Sequence, residues 1–167
     1  MNTYKYTPQK MIKNAVILSG VCIFGAALLL LSSPFVGTYR GIILCVVFMT
    51  IAIQITTRFI LSSYTFILDD INFIIVRTYG GKSQQVCNIK LNTAIGISDK
   101  KSSKEIEKEF GKIIIRKNFC QNLWASEEYT YVFEFDEKKS AVRFDADVNF
   151  INEMKLRIKE ANLRYGE

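Results

Sequence analysis

A chain of 167 residues has room for one ordinary domain and a further segment. It is 49% apolar and contains no histidine, which removes Ser-His and Cys-His nucleophile pairs, histidine-ligated metal sites and histidine general bases. Its net charge of +6 is not a nucleic-acid signature: all 16 acidic residues and 17 of the 22 basic ones follow residue 61, leaving that part at 17 − 16 = +1.

The other five positive charges are Lys5, Lys10, Lys13, Arg40 and Arg58, which bracket two hydrophobic runs. Residues 1–13 form a short N-terminal segment. Asn14 to Tyr39 carries no charge, and neither does Gly41 to Thr57. Crossing a bilayer takes about 20 apolar residues, so the pattern predicts a two-helix transmembrane hairpin over residues 14–61. Its spans fall at about 14–33 and 41–61, joined by a short external turn from Pro34 to Arg40. The first run is longer than a signal-peptide core of about 7–15 residues. Ser32 and Ser33 imitate a cleavage site and leave a cleaved signal as the minor alternative. Lysines before the first span and Arg58 after the second put both termini in the cytoplasm, in a multi-pass protein of the cell membrane.

Small residues recur on one face of each span: Ala15, Ser19, Cys22 and Ala26 on the first, and Gly41, Cys45, Ala52 and Thr56 on the second. Phe48 or Met49 interrupts the second stripe. Such faces allow close helix approach, and the two stripes are expected to meet within the hairpin. Homodimerisation and docking on a larger membrane complex are the competing uses. No carboxylate or lysine lies inside either span, which argues against an ion path.

The stretch ITTRFILSSYTFILDDINFIIV, residues 55–76, marks the exit from the membrane. Tyr64, Phe66 and Leu68 alternate with Thr65, Ile67 and Asp69 at the two-residue period of a strand. A third span would have to bury Asp69 and Asp70, each at about 2.5–3.5 kcal/mol. These aspartates suit a tight turn instead. So few residues separate lipid from strand that the cytoplasmic domain, residues 62–167, is held at the membrane surface.

Within that domain, turn signals predict seven short strands. The first two are the hairpin just described, the second running Phe73 to Tyr79. The others run Gln84 to Leu91, Ala94 to Ser98, Lys112 to Phe119, Glu128 to Asp136 and Lys139 to Asp145. Asp99 to Gly111 is a charged loop holding at most a short helix. Its Lys100, Lys101 and Lys104 are candidate contacts for an anionic surface, offset by Glu105, Glu107 and Glu109. Leu123 and Trp124, in the loop before the sixth strand, either fold back to cover the barrel end or are candidate partner or lipid contacts. Asp147 reads as the N-cap of a helix over about 148–164, with Ile151, Met154, Ile158 and Ala161 on its apolar face. Cys22, Cys45, Cys87 and Cys120 have no metal or redox spacing and read as reduced thiols.

Seven strands and a final helix behind two spans resemble the bacterial pleckstrin-homology-like (PH-like) domain proteins. The local phrasing is similar in YTFILDDINFIIVRTYGGK, CNIKLNTAIGI and SAVRFDADVNFINEMK. The resemblance implies a membrane-anchored α+β protein whose PH-like domain is a partly open seven-stranded β-barrel or sandwich with a C-terminal capping helix, used for binding and not for catalysis. The loop from Asp69 to Asn72 departs from the basic hairpin loop of phosphoinositide-binding members, with Arg77 and Lys82 the nearest cations.

No catalytic, cofactor-binding or metal motif stands out, and the chain is read as a non-enzyme without cofactors. The expected function is a protein-interaction or scaffold module at the cytoplasmic membrane surface. The alternative is a sensor of anionic lipid. The expected partners are the bilayer and a membrane or membrane-proximal protein, or a second copy of the chain. Neither nucleic acid nor a small-molecule substrate is indicated.

Overall fold

The computed structural model describes residues 3–36, 38–99, 102–125 and 127–165. The chain is α+β and divides into two compact units. One holds Lys10–Ser63 with Asn122–Trp124, and the other holds Met1–Gln9, Tyr64–Gln121 and Ala125–Glu167.

The helical unit consists of α1 (Ile12–Val36), α2 (Thr38–Ile55) and a π-helical turn, Thr56–Ile60. Both helices take in residues that the sequence suggests as a turn, so the link is shorter than residues 34–40. A proline in the last turn removes one amide bond without preventing that turn from closing. Two stretches, Ile12–Leu31 and Tyr39–Ile60, are long and apolar enough to cross a membrane. Most of the residues in both stretches are not buried.

The β unit contains two four-stranded sheets. Strands β1 (Tyr4–Tyr6), β2 (Ser62–Leu68), β3 (Asn72–Tyr79) and β4 (Lys82–Lys90) lie in that order in the first. Alternation along β2 is strict, with Tyr64, Phe66 and Leu68 buried. Gly80 and Gly81, at φ +55° and +79°, turn β3 into β4. Two successive positive φ values suit the right-handed twist of a hairpin.

The second sheet has the order β5 (Ala94–Ser98), β7 (Glu128–Phe135), β8 (Lys138–Asp145) and β6 (Ile115–Asn118). Between β5 and β6 runs α3 (Ser103–Phe110), and α4 (Val148–Tyr165) follows β8. The described residues therefore form eight strands where the periodicity suggests seven, and the additional one is β1. It pairs antiparallel with β2, Tyr4 opposite Leu68 and Tyr6 opposite Phe66. β6 runs parallel to β8, Ile115 opposite Ser140 and Lys117 opposite Val142.

The two sheets and α4 share one core. Phe66, Phe73, Phe144 and Phe150 are fully buried in it, with Phe144 centred 5.2 Å from both Phe66 and Phe73. Asp147 caps α4, its carboxylate accepting the Phe150 amide at 2.7 Å, which satisfies one otherwise orphaned donor of the first turn. Tyr4 and Tyr6 of β1 bring their rings to 5.9 and 5.3 Å from Phe150. Burial pushes the Tyr6 phenol up, and the carboxylates of Asp147, Asp145 and Glu127 add to the shift.

A second, smaller cluster packs α3 on the outer face of the β5–β7–β8–β6 sheet through Ile106, Ile113, Val132 and Ala141. Phe110 closes it by lying over Gly96, where an added Cβ would stand 2.5 Å from the ring. Gly96→Val is therefore expected to displace Phe110 and lower stability by about 1–3 kcal/mol, the usual cost of overpacking, read as a lower urea midpoint. The β7–β8 turn shows the opposite case. Asp136 and Glu137 both hold positive φ, 56° and 60°, a region costly to residues bearing a Cβ. Glu137→Gly is expected to raise stability by up to about 1 kcal/mol, read as a higher urea midpoint.

Candidate functional site

In the helical unit, Ala15, Ser19, Cys22 and Ala26 are buried along α1, and Gly41 and Ala52 are buried along α2. Cys45 and Thr56 are half-buried. The Ser19 and Thr56 hydroxyls lie 3.0 Å apart. The Phe48 ring packs against Gly25. Small side chains let two backbones approach closely enough for packing and an interhelical hydrogen bond. Leucine at both Ser19 and Ala52 is expected to force the helices apart and cost about 1–3 kcal/mol, seen as lower yield of the folded full chain in detergent.

The base of the same unit is polar. The Lys10 ammonium donates to the Ile60 carbonyl, and Arg58 lies over the Phe59 ring with 5.2 Å to its centroid. Burial pulls the Lys10 pKa down. The Met11 amide, at the start of α1, donates to Asn122 Oδ1 at 2.6 Å. The segment from Asn122 to Trp124 belongs to the helical unit, with Leu123 half-buried and Trp124 63% exposed.

One residue earlier in the chain, Gln121 is fully buried in the β unit. Its Oε1 accepts the Tyr64 amide at 2.7 Å, and its own amide donates to Asp145 Oδ1 at 2.8 Å. The local sequence has one signal for this arrangement: polar Gln121 and Asn122 stand next to apolar Leu123 and Trp124. Nothing local says which backbone groups they serve.

Of the three candidate lysines, Lys100 and Lys101 lie outside the described residues. Lys104 is exposed on α3. That helix carries Lys104 and Lys108 against Glu105, Glu107 and Glu109, a net charge of 2 − 3 = −1. At the first hairpin, the Asp69 amide closes the turn on the Asn72 carbonyl at 2.9 Å. Arg157 of α4 donates to the Leu68 carbonyl at 3.0 Å and to Glu153. Its guanidinium is committed to bonds within the protein.

Two surface cavities flank β6. The smaller, about 170 Å³, is bordered by Arg116, Arg143 and Ile106. Both arginines are engaged, Arg116 with Glu107 and Arg143 with Glu128. The larger, about 300 Å³, opens between the free edges of β4 and β6, with Cys87, Lys117, Phe133 and Ser140 among its walls. Burial pushes the Cys87 thiol up, against a smaller opposing pull from Lys117. The four cysteines are all free thiols.

No protein-family model matches the chain, and neither a curated protein nor a solved structure matches it.

Proposed function

We propose that this is a two-pass membrane protein that holds a PH-like domain at the cytoplasmic membrane surface, where the domain binds another protein. The observation that carries the proposal is the uncovered apolar surface of the helical hairpin. Val16, Ile17, Val21, Phe24 and Leu31 on α1, and Ile43, Val46 and Ile53 on α2, are all at least half exposed. Contiguous apolar surface on this scale is not left to water, and lipid is the solvent that fits it.

The topology follows from chain connectivity. β1 precedes the hairpin, β2 follows it, and the two are paired neighbours in one sheet. The chain that leaves one side therefore returns to it, which supports an even number of crossings. Lys5, Lys10, Lys13 and Arg58 flank that side against Arg40 at the far end, the bias expected for the cytoplasm. Trp124, exposed in the segment that caps the start of α1, fits the headgroup region, where an indole has both an apolar body and a polar N–H to satisfy.

The PH-like reading rests on an antiparallel sheet facing a second sheet whose β5–β7–β8 strands form an antiparallel meander, with α4 in the shared core. The α3–β6 segment is an insertion in that meander, and parallel β6 departs from the simple pattern. Protein binding is favoured over anionic lipid by the net negative charge of α3 and by the uncovered edge of β4, an edge able to accept a further strand.

Fluorescent-protein fusions before Thr3 and after Tyr165, which glow only when cytoplasmic, test the topology in the full chain. Both are expected to fluoresce, and a dark N-terminal fusion would remove the two-pass reading. A photo-crosslinking residue at Gln84, exposed on β4 and outside the cavity lining, is expected to yield protein adducts. Lipid adducts alone from that position would favour the lipid-sensor alternative.

A further inference from the structure

The larger cavity has the chemistry of a ligand site, and it does not depend on the membrane reading. It lies within the β unit, at the open side of the sandwich away from the β1 edge. Three observations set it apart from a packing defect.

The first is an apolar mouth. Phe135 and Ile115 line the cavity and are 64% and 40% exposed, while Val86, Ile89 and Phe133 continue the apolar wall inward. Two large apolar side chains at one opening are not stabilised by water, and a ligand that covered them would gain by burial.

The second is a hydroxyl without a partner. Ser140 lines the cavity, is 2% exposed, and its Oγ makes no hydrogen bond among the described residues. A buried donor left unsatisfied is costly, and an acceptor atom entering the cavity would remove that cost.

The third is an uncompensated cation. Lys117 lines the same cavity and has no carboxylate partner among the described residues, whereas its neighbour Arg116 is paired with Glu107. The β6–β8 register sets Lys117 beside Val142, two positions along the same sheet face from Ser140.

We propose that the cleft between the β4 and β6 edges binds a single-chain fatty carboxylate. Its chain lies along Val86, Ile89, Phe133 and Phe135, and its carboxylate is held by the Lys117 ammonium and the Ser140 hydroxyl. The volume of about 300 Å³ sits at the lower bound of small-molecule sites, roughly 300–1,000 Å³, which suits one chain and not a two-tailed lipid. A lone ammonium and one hydroxyl match one carboxylate. A phosphate, with more acceptor oxygens, would leave most of them without donors.

The test uses the full chain in nanodiscs and a diazirine-bearing decanoic acid, with labelled positions mapped by mass spectrometry. Mapping separates cavity binding from simple partition into lipid around the helices. The expected result is labelling of the β4 and β8 peptides, competed by unlabelled decanoate and at least fivefold more weakly by decanol. Bound decanoate should also slow alkylation of Cys87, which lines the cavity.

Lys117→Glu, an exposed position on an edge strand, should reduce cavity labelling at least fivefold without changing the unfolding midpoint. Ser140→Ala supplies a readout that a purely structural serine would not give. Losing an unpartnered buried hydroxyl should raise the melting temperature of the unliganded protein while weakening decanoate protection of Cys87. Label confined to residues 12–60, equal competition by decanol, or cavity labelling indifferent to Lys117→Glu would each overturn the proposal.

Discussion

Phe73→Ala is expected to remove about 3–5 kcal/mol from the β unit, the range for deleting a buried phenylalanine ring. Phe73 is fully buried on β3, and its ring lies 5.2 Å from Phe144, 5.7 Å from Tyr131, 6.2 Å from Phe66 and 6.3 Å from Phe150. These neighbours come from β8, β7, β2 and α4, so one truncation opens a void on which four elements converge. Each aromatic pair is worth about 0.5–1.5 kcal/mol beyond its buried area, and the stiff rings can fill the void only in part. Domains of this size are stable by about 5–15 kcal/mol, so the loss is a large fraction of the total. The measurement is a urea titration of the full chain in detergent, followed by far-ultraviolet dichroism of the strands. A loss below about 1 kcal/mol would mean that the rings re-pack around the gap and that no single ring anchors the core.

Asp145→Ala is the second large effect, expected at about 1.5–3 kcal/mol, the value of a hydrogen bond to a charged group. The carboxylate is 5% exposed and accepts the Gln121 amide, and Gln121 in turn accepts the Tyr64 amide. Alanine removes the acceptor and leaves a buried N–H without this partner. Asp145→Asn keeps an oxygen in place and is expected to lose less than about 1 kcal/mol. The pair thus separates acceptor geometry from charge. Equal losses in both variants would assign the role to the charge. The same titration reads both, and protease sensitivity of the loop from 119 to 127 should rise only in the alanine variant.

How far the fold could be read from the sequence depends on whether its signals were local. Tyr64, Phe66 and Leu68 announce β2 because one face of that strand is wholly buried, and Asp147 with its apolar stripe announces α4 because cap and periodicity agree. The two long apolar helices are evident from the absence of charge alone. β1 is different. Three residues, Tyr-Lys-Tyr, form a strand only because β2 offers an edge beyond two intervening helices, and no local propensity encodes that. The parallel placement of β6 beside β8 is non-local in the same way: the stretch from Lys112 to Phe119 reads as a strand, but nothing in it names its neighbour or its direction.

The same limit applies to the candidate sites. The small-residue stripes follow from spacing on a helix; Ala15, Ser19, Cys22, Ala26, Gly41 and Ala52 are buried within the helical unit, and Cys45 and Thr56 are half-buried. Leu123 and Trp124 stand out as apolar residues in a loop. The cavity walls do not stand out, because Ser140, Lys117 and Cys87 come from three strands and meet only through the second sheet's register and the separation between sheets. Gln121 and Asp145 are ordinary polar residues in sequence. Their weight comes from being buried with specific backbone donors, which is a property of the tertiary structure.

The pairing of β1 with β2 also sets an order of assembly. Thr7 and Thr65, which share a hydrogen bond across that edge, are 58 residues apart, and the whole hairpin is synthesised between them. The residues of β1 must therefore wait, unpaired, until both helices have been made and β2 has emerged. Closing so long a loop is slow relative to local structure, so β1 docks late. Until it does, β2 presents a bare edge, a period in which another strand could take its place. An artificial fragment beginning at residue 62 would hold that exposed state permanently. Domain-level experiments on this protein therefore call for the N-terminal residues as well as the C-terminal ones.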